Sequence, residues 1–143
     1  MPGTPARQAM LMLYEHSLRY TTDLSAVRTL VREQARHAGL AGARAIDLEL
    51  AVSEAAANTV RHAAAQGHRE GTLRVWCTAD EIVCEIRDGG VITDVLADRR
   101  RQPAAGALAG HGLWLVHQVC DQVEIASGTD GTTVRMRMAL RRS

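Results

Sequence analysis

The sequence predicts an α+β fold, a two-layer sandwich in which helices cover one face of an antiparallel-rich mixed sheet. Two long helical patterns lie in the first half of the chain, and most of the strand patterns neighbour one another in the second half. The composition is that of a globular protein, with 46% hydrophobic and 23% charged residues in a chain of 143. We therefore predict one compact domain over residues 1–143.

The N-terminal part of the chain predicts a strand followed by a helix. Apolar side chains alternate within residues 8–20, which is the two-residue period of a strand. From Leu24 onward the apolar residues recur at helical spacing, behind Asp23 or Ser25 as the N-cap. Glycine readily adopts the left-handed conformation that ends many helices, so we expect this helix to stop at Gly39.

A second, longer helix is predicted from about Ala43 to Gln66, a segment rich in alanine and free of glycine and proline. Beside its apolar side, Glu54 and Asn58 lie one turn apart. A carboxylate and a carboxamide at this spacing could share a cleft, or they could belong to a solvated polar face. The apolar stripe, which we expect to be buried, consists of Leu48, Val52, Ala55 and Thr59.

Beyond the long helix the period of the pattern changes. Residues 72–78 and 82–86 alternate on either side of a short turn, which predicts a β-hairpin. Residues 98–110 show no periodicity and include three arginines, a proline and two glycines, which indicates a mobile functional loop. A short helix and two strands are predicted to close the chain, over residues 112–121, 122–127 and 132–140.

The charged residues exclude several classes of function. The 17 basic and 16 acidic residues leave a formal charge of +1, and aromatic residues make up 3%, which argues against nucleic-acid binding. All 17 basic residues are arginine. The absence of lysine excludes the P-loop, the kinase site that uses a strand lysine, and Schiff-base chemistry. Backbone amides, a metal ion or arginine must therefore hold any phosphate.

The apolar runs and the cysteines indicate the compartment. No run approaches the ~18 apolar residues that a membrane span requires, and the N-terminal run is too short for a secretory signal. Cys77, Cys84 and Cys120 are odd in number and form no C-x-x-C pair, so neither a disulfide framework nor a zinc site is indicated. We expect a cytoplasmic protein that contacts no membrane, with Cys77 and Cys84 as buried, inert thiols.

Besides the pair on the long helix, three short turns could carry chemistry. Glycines in a turn let the backbone approach a flat ligand, and glycines at the start of a helix expose amides that bind phosphate. Each turn alone also fits an ordinary loop or hairpin. In chain order the turns are Asp88-Gly89-Gly90, Gly110-His111-Gly112-Leu113 and Asp130-Gly131-Thr132-Thr133.

In order and spacing, these motifs resemble those of the anti-sigma-factor serine-protein kinases, a family of the histidine-kinase-like ATPase superfamily with the Bergerat fold. The likeness spans roughly residues 25–140. Four segments carry the likeness. ELAVSEAAANTVRHA is similar to the N box of that family, and IRDGG is similar to its first glycine box. GHGLWLV is similar to its second glycine box and GTTV to its last box. The resemblance implies ATP and Mg²⁺ as cofactors and a lid loop around residues 98–110, where Arg99, Arg100 and Arg101 could meet phosphate or form a solvated charge run.

The resemblance also implies a role for each candidate residue. Glu54 would be the base that activates the attacking hydroxyl, and Asn58 would ligate magnesium. Asp88 would bind the exocyclic amine of adenine, with Gly90 beside it. The second glycine box would bind the phosphates through Gly110, His111, Gly112 and Leu113. The last box would lie near the adenine, through Thr132 or Thr133.

The family resemblance implies a protein serine/threonine kinase that sequesters a sigma factor and phosphorylates an anti-anti-sigma antagonist, and that associates as a homodimer. One departure concerns the first glycine box, in which Ile92 stands where the family has its second glycine. This residue could reshape the adenine end of the site. Two alternatives stay open: a partner-switching module of the same fold with negligible kinase activity, and an unrelated α+β domain.

Overall fold

The computed structural model describes residues 12–19, 22–40, 42–65, 70–89, 111–128 and 131–141. These residues form five strands and three helices. The elements are β1 (Met12–Leu18), α1 (Leu24–Ala38), α2 (Ala43–Ala65), β2 (Gly71–Cys77), β3 (Glu81–Asp88), α3 (His111–Val119), β4 (Gln122–Gly128) and β5 (Gly131–Ala139).

The five described strands form one sheet in the order β1-β2-β3-β5-β4, and every neighbouring pair is antiparallel. The three helices pack on one face of this sheet. A single apolar core contains Val27 from α1, Val52 from α2 and Val116 from α3, together with Cys84 and Met136 from the sheet. The structure confirms the predicted α+β sandwich, with helices on one side of an antiparallel sheet.

Local capping defines α1 as the sequence predicts. The Asp23 side chain accepts a hydrogen bond of 2.9 Å from the backbone amide of Ser25, so Asp23 is the N-cap. Gly39 ends the helix in the left-handed conformation, with φ of 96°, and its amide donates to the last carbonyls of the helix. Both ends of α1 are therefore determined by residues within one turn of them.

The apolar stripe of α2 lies against the sheet. The four residues predicted to be buried are all at most 4% exposed, and they pack on alternate residues of the central strands. Because side chains alternate along a strand, β2 contributes Leu73 and Val75 to this core while Arg74 points to the other side. The buried residues of the α2 stripe are Leu48, Val52, Ala55 and Thr59.

Two element boundaries differ from the prediction for tertiary reasons. The strand β3 continues to Asp88, two residues further than predicted, because it pairs with Gly71 on one side and Thr132 on the other. The helix α3 ends at Val119 instead of Asp121. The Asp121 carboxylate accepts a hydrogen bond of 2.8 Å from the amide of Ala139, which draws it to the sheet.

Several predictions of the sequence analysis concern residues outside the described part of the chain. These are the strand pattern before Met12, the end of the long helix at Gln66 and the loop over residues 98–110. The extent of the domain over residues 1–143 likewise stays a prediction. None of the described helices is long and apolar enough to cross a membrane.

The three cysteines are buried and free, as predicted for Cys77 and Cys84. Burial raises the pKa of the Cys84 thiol well above its ordinary value of 9.0. Burial also raises the pKa of Cys120 to about 12. Because the thiolate is the reactive form, these groups are inert packing residues of the core.

The sheet face opposite the helices is covered by its own charged side chains. Glu85, in the centre of β3, is only 1% exposed although no described helix or strand packs over it. The guanidinium of Arg135 donates two hydrogen bonds, of 3.0 and 2.6 Å, to one oxygen of Glu85. Arg74 and Arg135 also lie over the ring of Trp76, at 5.9 and 5.8 Å from its centre. This layer buries the carboxylate without a second sheet.

We predict that Glu85→Gln lowers the free energy of unfolding by about 2 kcal/mol, because removal of one partner leaves the surrounding guanidinium groups without their buried counter-charge. The matched control is Glu124→Gln on the same sheet face. Glu124 accepts a hydrogen bond of 2.8 Å from Arg137 but has a side chain that is 47% exposed, so its loss should cost less than about 1 kcal/mol. Urea denaturation measures both variants, and equal effects would contradict the role of burial.

Candidate functional site

The carboxylate of Asp88 lies at the end of β3 on the face that the helices cover. Its neighbours across the sheet are Gly71 on β2 and Thr132 on β5, both in direct register. Asp88 alternates in phase with the buried Ile86 and Cys84 of the same strand, which sets its direction toward the helices. The sheet register therefore places an acidic group at the edge of the core, flanked by a glycine and a threonine.

The helix α2 passes directly over this carboxylate. The hydroxyl of Thr59 donates a long hydrogen bond of 3.4 Å to Asp88 Oδ2. Gly71 permits this approach, because a Cβ built there would lie 2.7 Å from both Thr59 Cγ2 and the carbonyl oxygen of Arg87. Thr59 was predicted only as part of the buried stripe, and Gly71 was not among the predicted site residues. A glycine at the start of a strand is the signal that could have indicated a close backbone approach.

A second glycine borders the other side of the same carboxylate. Gly131 begins β5 with φ of 116°, a conformation that favours glycine. A Cβ built on it would lie 2.2 Å from the carbonyl oxygen of Asp88 and 3.1 Å from Gly89 Cα. The sequence analysis treated Gly131 as part of a hairpin turn. In the structure it also lets the start of β5 contact the end of β3.

Thr132 and Thr133, which the resemblance could not distinguish, lie on opposite faces of the sheet. Thr132 is 4% exposed and pairs with Asp88, so it lies on the helix-covered face. Thr133 pairs with Arg87 and lies on the charged face. The structure thus brings Thr132, and not Thr133, beside the Asp88 carboxylate.

Glu54 and Asn58 lie on the outer part of α2, and both are half-buried. Asn58 Oδ1 accepts a hydrogen bond from the guanidinium of Arg61, one turn further along the helix. No cluster of three or more His, Cys, Asp or Glu side chains suited to a metal occurs in the described ranges. The Glu54 carboxylate and the Asn58 carboxamide are thus two oxygen donors one turn apart on this helix.

The start of α3 is directed toward the same part of α2. Arg44, near the start of α2, pairs with Asp121, which follows the end of α3. Because the two helices also pack side by side, they run in opposite directions. The nine residues of α3 extend about 13 Å, so His111 lies toward the turn of α2 that carries Glu54. The backbone amides in the first turn of α3, which have no carbonyl partner within the helix, therefore lie toward the Glu54 turn of α2.

The remaining predicted site residues are only partly described. Gly90 and Gly110 lie outside the described residues, as do Ile92 and the three arginines at 99–101. The backbone of Gly112 belongs to α3. For His111 and Leu113 the structure gives their place in α3 and nothing about their side chains.

The described part of the site offers a hydrogen-bond acceptor for an amine. The Asp88 carboxylate can accept a hydrogen bond from such a group, and the two glycines let Thr59 and the start of β5 pack closely against the end of β3. The Asn58 carboxamide oxygen is a ligand of the type that Mg²⁺ prefers. These residues thus have the chemistry that a purine nucleotide and its magnesium ion require.

Comparison with known proteins agrees with this arrangement. Residues 19–138 match the family model described as a histidine kinase-like ATPase domain. The fold is similar to the crystal structure of the RsbU and RsbW domains of Rv1364c from Mycobacterium tuberculosis, with a TM-score of 0.62 and 19% sequence identity. The match covers 92% of this chain but only 33% of that chain. No curated protein sequence matches the chain significantly.

We predict that Gly71→Ala lowers the free energy of unfolding by about 2 kcal/mol, because the added Cβ forces α2 away from the sheet at Thr59. Gly128→Ala is the matched control, since a Cβ there meets nothing within 4 Å and the variant should stay within about 0.5 kcal/mol of the parent. Urea denaturation measures both. Equal stability of the two variants would show that the close approach at Gly71 is not required.

Proposed function

Because the chain belongs to the histidine kinase-like ATPase family, we propose that it binds ATP and Mg²⁺ and transfers the γ-phosphoryl group to a serine or threonine of an anti-anti-sigma antagonist. In the same proposal it holds a sigma factor inactive in the cytoplasm, as a homodimer, until the antagonist displaces that factor. The observation that carries the proposal is the Asp88 carboxylate, held under Thr59 between Gly71 and Gly131 within the family match.

In the proposed complex, Asp88 accepts a hydrogen bond from the exocyclic amine of adenine. The position of this carboxylate at the end of β3, on the face toward α2, supports this role. Thr132 lies beside Asp88 and would contact the same end of the nucleotide. By resemblance, Gly90 belongs to this end as well. The phosphates would meet the amides at the start of α3, in the segment of Gly110, His111, Gly112 and Leu113.

Asn58 would supply an oxygen ligand to the magnesium ion. A bound Mg²⁺ neutralises part of the triphosphate charge and so favours attack on the γ-phosphorus. In the structure that oxygen accepts a hydrogen bond from Arg61, an exposed side chain. That oxygen has a second lone pair, which stays available for a metal ion while Arg61 is bound.

Glu54 would act as the base for the incoming hydroxyl. The hydroxyl proton passes to the Glu54 carboxylate while the oxygen forms a bond to the γ-phosphorus. The bond between that phosphorus and the bridging oxygen to the β-phosphate breaks, and ADP leaves with the electron pair. The half-buried position of Glu54 on the outer side of α2 supports this role, because a protein substrate can reach it.

The second candidate function is a partner-switching module that binds nucleotide without transferring phosphate. One observation favours it: Ile92 stands at a glycine position of the family pattern. A radiolabelled ATP assay with the anti-anti-sigma domains of the source organism separates the two functions. The module would bind an antagonist and leave it unlabelled.

We predict that the wild-type protein binds ATP in the presence of magnesium, and that Asp88→Asn weakens this binding about tenfold or more, because a hydrogen bond to a charged group is lost. Isothermal titration calorimetry with saturating magnesium measures the affinity. The matched control is Asp80→Asn, an exposed acid that precedes the opposite end of β3. The nucleotide assignment fails if the wild-type protein produces no heat with either ATP or ADP.

We predict that Glu54→Ala lowers phosphotransfer to the antagonist by about 10²-fold or more, since a positioned base contributes that much to the rate. Nucleotide affinity should be retained. The control is Glu124→Ala, which removes a carboxylate on the charged face of the sheet, one that Arg137 binds, and should leave the rate nearly unchanged. Transfer of radiolabel from ATP is the measurement, and full activity of the Glu54 variant would exclude this residue as the base.

A further inference from the structure

Two large apolar side chains are exposed on the outer side of α2. Ile46 is 65% exposed and Leu50 is 43% exposed. Of the residues that the structure describes, the only other exposed large hydrophobic side chain is Tyr14, on the edge strand β1. We call Ile46 and Leu50 together the apolar ridge. Single exposed apolar side chains are common on protein surfaces, but these two lie one helical turn apart and form a small continuous apolar surface.

The apolar ridge precedes Glu54, the proposed catalytic base, on the same helix. Ile46, Leu50 and Glu54 follow one another at intervals of four residues, so each lies about 6 Å further along the helix axis on nearly the same side. The ridge therefore occupies the two turns of α2 that precede Glu54. A protein segment lying on Ile46 and Leu50 would have its next turn at the Glu54 carboxylate.

An ion pair borders the ridge on the side of α1. There Arg32 donates hydrogen bonds of 3.1 and 2.6 Å to the two carboxylate oxygens of Glu49. Because this pair is compensated within the chain, an apolar surface is the complement of the ridge. An apolar centre with a polar rim is also the usual anatomy of a protein interface.

The size of the ridge excludes a stable dimer contact as its main purpose. A stable interface buries about 800 Å² on each partner, far more than two partly exposed aliphatic side chains provide. A second copy seated there would also cover Glu54 and prevent a substrate from reaching it. A transient partner is consistent with both facts, because a few central apolar side chains carry most of the binding energy of small interfaces.

We propose that the apolar ridge is the docking surface for the phosphoacceptor protein. The occupant is a segment with two apolar side chains at helical spacing, followed by the serine or threonine that approaches Glu54. This inference rests on the proposed function, since it names the partner of the same site. It assigns to Ile46 and Leu50 the recognition of the protein substrate, separately from nucleotide binding at Asp88.

The test uses an antagonist that the wild-type protein binds or phosphorylates, found by screening the purified anti-anti-sigma domains of the source organism singly. The double variant Ile46→Gln/Leu50→Gln should raise the KM and the Kd for that antagonist about tenfold or more. Its kcat and its ATP affinity should stay within about twofold, because neither side chain touches nucleotide. Thermal denaturation checks the fold, and the two single variants replace the double variant if it does not fold.

The matched control is Tyr14→Gln, which removes the third exposed hydrophobic side chain far from Glu54 in the chain and should leave KM unchanged. If the ridge variants transfer phosphate with an unchanged KM, the ridge is not the docking surface, and the proposed kinase activity still stands. If the antagonist binds, the ridge variants weaken that binding, and no phosphate is transferred, then the ridge is the docking surface for the antagonist but the proposed kinase activity is wrong. Failure of the wild-type protein to bind any antagonist overturns both. Sedimentation in which the ridge variant alone becomes monomeric would identify a self-contact and overturn the docking surface.

Discussion

The close approach of α2 to the sheet, where Thr59 lies over Gly71, is the constraint on which the rest of the site depends. Any side chain at Gly71 would meet both Thr59 and the Arg87 carbonyl at 2.7 Å. With this contact in place, the stripe from Leu48 to Thr59 is buried and Asp88 comes within hydrogen-bond distance of the helix. The opposite side of α2 is then turned to solvent, with Glu54 at its edge. The contact of Thr59 with Gly71 therefore connects the packing of α2 on the sheet with the position of the proposed base.

The two faces of the sheet are stabilised by different interactions. The face toward the helices is apolar, and burial of its side chains drives the packing of the three helices. The other face holds a buried carboxylate, Glu85, beneath arginines that also contact Trp76. This charged layer covers the backbone without a second layer of secondary structure. The sandwich can thus have two layers, and the site can lie at the end of the helix-covered face.

The helix α2 combines three proposed tasks because of its position. Its inner side forms the core, its outer side has the apolar ridge, and Asn58 and Glu54 are the residues proposed to act on the nucleotide. A substrate protein that docks on the ridge would be aligned with the base by the rigidity of one helix. Nucleotide binding and substrate docking would therefore depend on the same rigid element.

The sequence by itself determined the features that depend on residues close together in the chain. Four such features follow from spacing and capping within a few residues, and the structure confirms them. They are the N-cap Asp23, the end of α1 at Gly39, the buried stripe of α2 and the hairpin of β2 and β3. The order of the motifs was also sufficient to indicate the family. Four features were not predictable in this way. They are the placement of Thr59 over Asp88, the contact of Gly131 with the end of β3, the position of Thr132 rather than Thr133 beside Asp88, and the burial of Glu85. They depend on strand register and on helix-to-sheet distance, which join residues far apart in the chain, and only the tertiary packing sets these distances.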